Sequence, residues 1–518
     1  MLVLAVDMLR KRDEIKKRWK AVRASHLAVG MTGFEPATSR PPDENSNRTE
    51  LHPERGRKGN AFFRFKQIIS SFYFSRFDTD LKLEHDCFAA PPVGIIFVKR
   101  NNVCKIRMQY NVRAGAALRC KIALPASKSV CNRALVINAL AKGDSLPHNL
   151  SDCDDTVVML RALRERPYTV DVMAAGTAMR FLTAYLSTLS EEHVITGTER
   201  MKCRPIGILM EALNSLGADI DYIGDVGFPP LRIRGGGLRG GTVTLPADVS
   251  SQFISALLMI GPVLSEGMEL KLKGNIVSRP YIDLTLSIMN AYGACVSWAD
   301  ERTLRVAPKA YNAVPYYVEA DWSAASYWYE MVALTQDAGA RVVLEGLTPH
   351  SAQGDCVVID LFERLGVRTQ FVSAAIPYVV LTKQPRRTER LDYDFVNCPD
   401  LAQTLVVTCA MMRVPFRFTG LQSLKIKETD RLAALVAELR KLGCEVKESG
   451  GAELSWDGVR VEPQPDAVIE TYDDHRMALS FAPCCIKTGS VSIRNPQVVS
   501  KSYPHFWEHL RQAGFTLS

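Results

Sequence analysis

The sequence predicts an α/β protein with more than one domain, and three observations carry that prediction. At 518 residues the chain is too long for one ordinary hydrophobic core. Its composition, 47% hydrophobic and 23% charged, is that of a globular chain. One local pattern also recurs: an amphipathic helix end, a glycine, then a strand-like stretch. The glycines are Gly217, Gly293, Gly366, Gly443 and, in a weaker copy, Gly514, separated by 76, 73, 77 and 71 residues.

Each part of the pattern has a physical reason. Runs such as Ala212–Leu216 and Glu438–Leu442 end helices, and the glycine after them suits the left-handed position just past a helix. Ala-Asp-Ile, Ala-Cys-Val, Val-Arg-Thr and Cys-Glu-Val then read as strand starts. A unit of roughly 74 residues is too long for a simple solenoid repeat and holds two helices with several strands. Six such units fit residues 108–518 if the first is shortened. That one would end near Met159–Leu163, where Arg164 to Pro167 replace the usual Leu-Gly.

Charge separates an amino-terminal arm from the body. Residues 1–107 hold 21 Lys and Arg against 12 Asp and Glu; they carry +9 of a net +8 and leave −1 for residues 108–518. Net charge therefore gives nucleic-acid binding by the body no support. The arm has a basic helical pattern from Leu9 to Val22, then a polar, proline-punctuated run to Arg57. We expect an extraneous or disordered segment, with Met108 the expected start. A transit peptide fits less well, because Asp7, Asp13, Glu14 and Glu35 oppose its acid-poor composition. No apolar run approaches the roughly 20 residues of a membrane span. Thirteen cysteines without a CxxC pair point to a reducing, cytoplasmic setting.

Cationic motifs are spread along the body. Pro125-Ala-Ser-Lys-Ser leads through Arg133 into an apolar helix; a serine-rich helix start offers amides, hydroxyls and a positive dipole end to an anion, or is a plain cap. Ala174-Ala-Gly-Thr-Ala-Met-Arg180 repeats the device, with Gly176 allowing close approach and Thr177 able to cap. Arg200-Met-Lys-Cys-Arg204-Pro gathers three cations. Ser250-Ser-Gln252 supplies neutral donors, and Ser278-Arg-Pro-Tyr281 a hydroxyl, a cation and an aromatic. Asp321 suits a helix cap; at Asp400 capping competes with general-base work. In Lys425-Ile-Lys-Glu-Thr-Asp-Arg431, Lys427 and Arg431 lie four apart and on a helix share a face, with Glu428 beside them. Asp474-His-Arg-Met477 and Ser500-Lys501 end the series. Taken singly, each also reads as a solvated face or a turn.

Taken together and in this order, Pro-Ala-Ser-Lys-Ser, Ala-Gly-Thr-Ala-Met-Arg, Arg-Pro-Ile-Gly, Ser-Ser-Gln, Lys-Glu-Thr-Asp-Arg-Leu and Asp-His-Arg-Met closely resemble the 3-phosphoshikimate 1-carboxyvinyltransferase family. The resemblance covers 108–518 and none of 1–107. It implies two similar domains, each of three βαβαββ units in an inside-out α/β barrel, joined by a two-strand hinge. The first domain would combine 108–126 with 320–518, and the second would be 127–319. It also implies a cytoplasmic monomer that joins shikimate 3-phosphate to phosphoenolpyruvate without metal or organic cofactor, as part of aromatic amino-acid biosynthesis, and that contacts neither nucleic acid nor membrane.

Carried over by motif, the resemblance places Lys128, Ser129, Arg133, Ser250, Ser251, Gln252, Ser278, Asp400, Ser423 and Lys427 around shikimate 3-phosphate. It places Lys128, Gly176, Arg204, Gln252, Lys427, Arg431, Arg476 and Lys501 around phosphoenolpyruvate. Asp400 would take the hydroxyl proton, with Glu428 and Lys128 acting at C3 and the departing phosphate and His475 in support. Cations should depress the pKa of Glu428, and crowding by arginines should lower that of Lys128. Ala174, Ser423 and Asp473 stand where the family usually has Asn, which bears on phosphoenolpyruvate affinity. Gly176 is retained, which implies sensitivity to glyphosate. The alternatives are a UDP-N-acetylglucosamine 1-carboxyvinyltransferase, an inactive homologue, or a nucleic-acid binder acting through the basic arm.

Overall fold

The computed structural model describes residues 95–100, 103–248 and 250–518, with side chains from Met108 onward except at Val249. Contacts divide the chain between Cys87 and Phe88, and everything below concerns the second unit. The basic pattern at Leu9–Val22 and the polar run to Arg57 lie outside the described residues. The expected boundary at Met108 falls within the strand Val103–Arg113, which forms an antiparallel hairpin with Ile95–Arg100. Among the described residues no helix is long and apolar enough to cross a membrane.

One topology repeats. Gly241–Pro246, helix Ser251–Ile260 and Met268–Lys273 form a parallel β-α-β step; helix Arg279–Ala291 then leads into Val296–Trp298 and Thr303–Val306. The last strand inserts beside the second, antiparallel to both neighbours, which gives the spatial order first, second, fourth, third. The same order arranges Thr169–Asp171, His193–Thr196, Leu231–Arg234 and Asp219–Tyr222, and again Leu391–Asp394, Phe416–Thr419, Glu453–Trp456 and Lys447–Ser449. In a fourth sheet Arg119–Ala123 pairs in parallel with Arg341–Glu345, more than two hundred residues later.

The fifth sheet is completed from the front of the chain. Val468–Ile469 and Val491–Arg494 are parallel, and Val103–Arg113 pairs antiparallel with Val491–Arg494 and with Thr516–Leu517. The expected shortened first unit has helices Lys128–Leu140 and Asp154–Glu165 and, among the described residues, only isolated bridges, Ala126 to Ala320 and His148 to Tyr317. All five repeat glycines adopt positive φ, from 81° at Gly293 to 102° at Gly217. In the shortened unit Arg166 takes the left-handed position instead, at φ 42°.

Buried side chains form two clusters, one from Val112–Leu124 with Ala320–Phe515 and the other from Ala126–Val318. The chain passes between them twice, and the two crossings are bonded: Ser127 N–H donates to Glu319 O (2.8 Å) and Asp321 N–H to Pro125 O (2.9 Å). Helices Lys128–Leu140, Gly176–Leu186 and Ser251–Ile260 contact one another inside the second cluster, while the sheets alternate buried and exposed residues. The reason is compositional. Helices such as Trp322–Leu334 and Ala402–Met412 are apolar almost all round and belong inside, whereas the strands are amphipathic and face solvent with one side.

Candidate active site

The interior helices aim their N-termini at one cleft of about 1150 Å³. Lys128 and Ser129, Gly176 and Thr177, Ser251 and Gln252 open three of them, and His475 and Arg476 open another. Unpaired amides and dipoles thus converge where side-chain cations also point. A body of net charge −1 can therefore concentrate positive potential at one place. Every residue expected around the two substrates lines this cleft except Lys501, which reaches it through Glu428.

Local structure explains the placements. Ser250 caps its helix by accepting from Gln252 N–H at 3.2 Å, and the Gln252 amide donates to Thr177 Oγ1 at 3.2 Å. Thr177 is therefore not a cap; Ala175 flanks that helix. Ser278 sits at φ 55° before its helix. A Cβ at Gly176 would come within 2.4 Å of Arg204 Nη1, so any side chain there displaces that guanidinium. Arg204 makes no side-chain hydrogen bond or ion pair among the described residues, and its Nε is buried without a partner.

The Lys427 and Arg431 pair is not on one helix, contrary to the expectation from their spacing. Asp430 caps the helix with extended backbone (ψ 93°) and accepts from Ala433 N–H, so the helix begins at Arg431 and Lys427 precedes it. Both cations nevertheless lie 3.5 Å from Asp400 Oδ1, while Arg476 approaches Asp400 Oδ2 at 2.8 Å. Asp400 forms no helix cap. Burial alone would raise its pKa, but Arg476, Lys427 and Arg431 hold it well below the usual carboxylate range. Arg431 also grips Asp474 at 2.7 Å and Glu428 at 2.9 Å.

Glu428 is depressed in the same way: burial opposes ionisation, but Lys501 at 2.8 Å, Arg431 and Arg204 overcome it. That matches the expected direction. Lys128 does not. Burial lowers its pKa, but Asp155 at 3.5 Å, together with Cys153 and Glu428, more than compensates, and the amine is raised. Between the two cleft lysines it is Lys427 whose pKa is lowered, by burial and by Arg431 against the pull of Asp400. His475 is buried, both ring nitrogens lack partners, and burial with Lys128 and Arg476 pulls its pKa well below normal, so it is a neutral imidazole.

Arg133 is largely committed to the fold. Its guanidinium donates to Thr285 Oγ1 (2.7 Å), Ser129 O (2.9 Å), Ser255 Oγ (3.2 Å) and Tyr281 O (3.2 Å). The motifs contained Arg180 and Tyr281, which also line the cleft, without marking them as site residues. Asp155 and Asp355 went unmarked altogether. Each is an acid at the start of a helical turn, which sequence reads as a cap.

Two solved structures share this architecture. One is EPSP synthase from Acinetobacter baumannii (TM-score 0.63, 23% identity, 79% of this chain and 99% of that one). The other is the enolpyruvyl transferase NikO from Streptomyces tendae (TM-score 0.59, 15% identity, 79% and 98%). These likenesses show a shared fold. Within it, the family model for EPSP synthase (3-phosphoshikimate 1-carboxyvinyltransferase) matches residues 112–166 and 165–510. The 3-phosphoshikimate 1-carboxyvinyltransferase of Bacteroides fragilis is 56% identical over 408 residues, covering 79% of this chain and 98% of that protein. That of Serratia proteamaculans is 37% identical over 418 residues, covering 75% and 94%. The chain belongs to the EPSP synthase family, and its activity is carboxyvinyl transfer to shikimate 3-phosphate rather than to a UDP-sugar.

Proposed function

We propose that the cleft holds both substrates at once, between two domains formed by 108–126 with 320–518 and by 127–319. The two buried clusters and the paired crossings near Pro125 and Glu319 support that division, with the crossings as a two-strand hinge. Three units around central helices would close each domain as an inside-out barrel.

Phosphoenolpyruvate carries phosphate and carboxylate into the space bounded by Lys128, Gly176, Arg204, Gln252, Lys427, Arg431, Arg476 and Lys501. Shikimate 3-phosphate lies along Lys128, Ser129, Ser250, Ser251, Gln252, Ser278, Ser423 and Lys427, with Arg133 behind it shaping the wall. The observation that carries this reading is the pairing of unsatisfied groups: Arg204 and the His475 nitrogens face the cleft without partners, while every nearby acid already holds a cation.

In the reaction Asp400 accepts the proton of the 5-hydroxyl as the oxygen bonds to C2, and C3 takes a proton. Return of a C3 proton to the group that donated it then expels phosphate as the bond between C2 and the phosphate oxygen breaks. Lys128, kept protonated by Asp155, suits donation to C3 or stabilisation of the leaving phosphate. Glu428 becomes an acid only when two bound anions offset Lys501 and Arg431. Its charge state is thereby tied to occupancy.

Steady-state phosphate release by the full chain tests the assignment. Arg204→Ala is expected to raise KM for phosphoenolpyruvate by about 10- to 100-fold, the worth of one charge-assisted hydrogen bond, and to leave KM for shikimate 3-phosphate within about twofold. The reverse pattern overturns the placement.

A further inference from the structure

We propose that the proton taken up by Asp400 is handed through the Tyr281 hydroxyl to Asp355, a buried carboxylate outside the substrate cleft. The inference rests on the reading of Asp400 as the base. Tyr281 Oη lies between the two acids, 3.3 Å from Asp355 Oδ1 and 3.5 Å from Asp400 Oδ2. On its far side Asp355 Oδ2 accepts from Ser323 Oγ. Asp355 is 4% exposed and has no ion pair among the described residues, whereas Asp400 is held by three cations.

The juxtaposition is built by close packing. Asp355 stands in the turn Gly354–Val357, and a Cβ on Gly354 would come within 2.5 Å of Pro280 Cβ, one residue from Tyr281. The lack of a side chain at Gly354 lets the turn pack this closely on Pro280. Behind them lies a small pocket lined among others by Ser127, Asp321, Ser323 and Gln353. The Ser127 hydroxyl is buried there without a partner.

The chemistry supplies a purpose. A carboxylate clamped by Arg476, Lys427 and Arg431 holds a proton weakly, so Asp400 alone is a reluctant acceptor. Asp355 holds one better, because burial and the neighbouring Asp400 charge push it up to about 6. In the transfer the Asp400 O–H bond breaks and its proton goes to the Tyr281 oxygen. At the same time the Tyr281 proton moves to Asp355 Oδ1, and the tyrosine ends neutral. A concerted move is required, since burial followed by Asp355 and Asp400 places the Tyr281 phenol well above its usual pKa. Contacts of 3.3 and 3.5 Å are long for transfer, and such bonds tighten when substrate binds. The groups facing Asp355 are Tyr281, Asp321, its neighbour Cys356, Cys398, Asp400 and Arg476. Arg476 is the one cation among them.

The test uses the full chain as Tyr281→Phe, Asp355→Asn and the double variant, with kcat and KM measured for both substrates from pH 5 to 9. Each single variant should lower kcat by roughly 10- to 100-fold, less than removal of the base itself, with KM changed by less than about threefold. The double variant should be no slower than the worse single one. The acid limb of kcat near pH 6 should vanish in Asp355→Asn. Ser323→Ala, a milder change, should shift that limb upward, since it removes a bond that favours the anion. Losses that multiply, or a folded Asp355→Asn with the wild-type kcat profile, overturn the relay. A loss confined to KM or to melting temperature assigns Asp355 a purely structural role and also overturns it. If Asp400→Asn turns over normally, the base assignment itself fails, and that outcome is distinct from both.

Discussion

Glu330 gives the sharpest stability prediction. It lies in the middle of helix Trp322–Leu334, is 0% exposed, and neither carboxylate oxygen has a hydrogen-bond partner among the described residues. Thr408 stands beside it, but its hydroxyl donates to Thr404 O at 2.7 Å. Burial therefore lifts the Glu330 pKa well above the ordinary value, with Thr408 only partly opposing it. A carboxyl raised in the folded state stabilises fully below its unfolded pKa, and the contribution is lost as pH rises. The loss is about 1.4 kcal/mol per pH unit above roughly 4.3, for as long as the folded group stays protonated. Between pH 5 and pH 7 this amounts to up to about 2.7 kcal/mol. Glu330→Gln removes the dependence. Any constant cost of burying the amide cancels when one variant is compared with itself across pH. Denaturant unfolding at pH 5, 6, 7 and 8 should show the variant gaining on the wild type at each step. A difference that stays flat with pH would refute the buried-neutral assignment.

Three further outcomes follow from the cleft and its rim. Asp400→Ala should lower turnover by on the order of 10²–10⁴ if it is the base, and near-normal turnover in the phosphate-release assay would remove it from that role. Arg431→Lys leaves Asp474 without its two-pronged guanidinium partner in a buried site. It should cost about 3–5 kcal/mol of stability by thermal unfolding and raise KM for phosphoenolpyruvate, and an unchanged melting temperature would contradict the arrangement. His505 bridges Glu508 (2.8 Å) and Asp152 (2.7 Å), which raise its pKa in that order. Its contribution is present below about pH 6.5 and fades as pH rises through the folded pKa, so His505→Gln should flatten the loss of melting temperature on going from pH 6 to pH 8.

Much of the repeat was legible because it rests on local backbone chemistry. Gly217, Gly293, Gly366, Gly443 and Gly514 occupy positions where only a residue tolerant of positive φ ends the helix cleanly. The cleft-facing motifs were legible for the same reason: helix N-termini, hydroxyls and cations occur together in sequence. Other features were not local. Lys128 looked crowded by arginines, yet Asp155, twenty-seven residues on, with Cys153 and Glu428, turns its shift upward. Lys427 and Arg431 looked like helix partners, yet Asp430 starts the helix between them. Asp355 carried no motif at all.

By itself, then, the sequence determined the helix-glycine-strand unit, its period and the motifs that line one cleft, since each depends on neighbours a few positions away. Tertiary structure decided how the repeat is completed, with Val103–Arg113 filling the sheet of Val491–Arg494. It also decided which acid answers which cation. In a buried cleft those charges interact strongly over a few ångströms, and only the fold brings residues hundreds of positions apart within that distance.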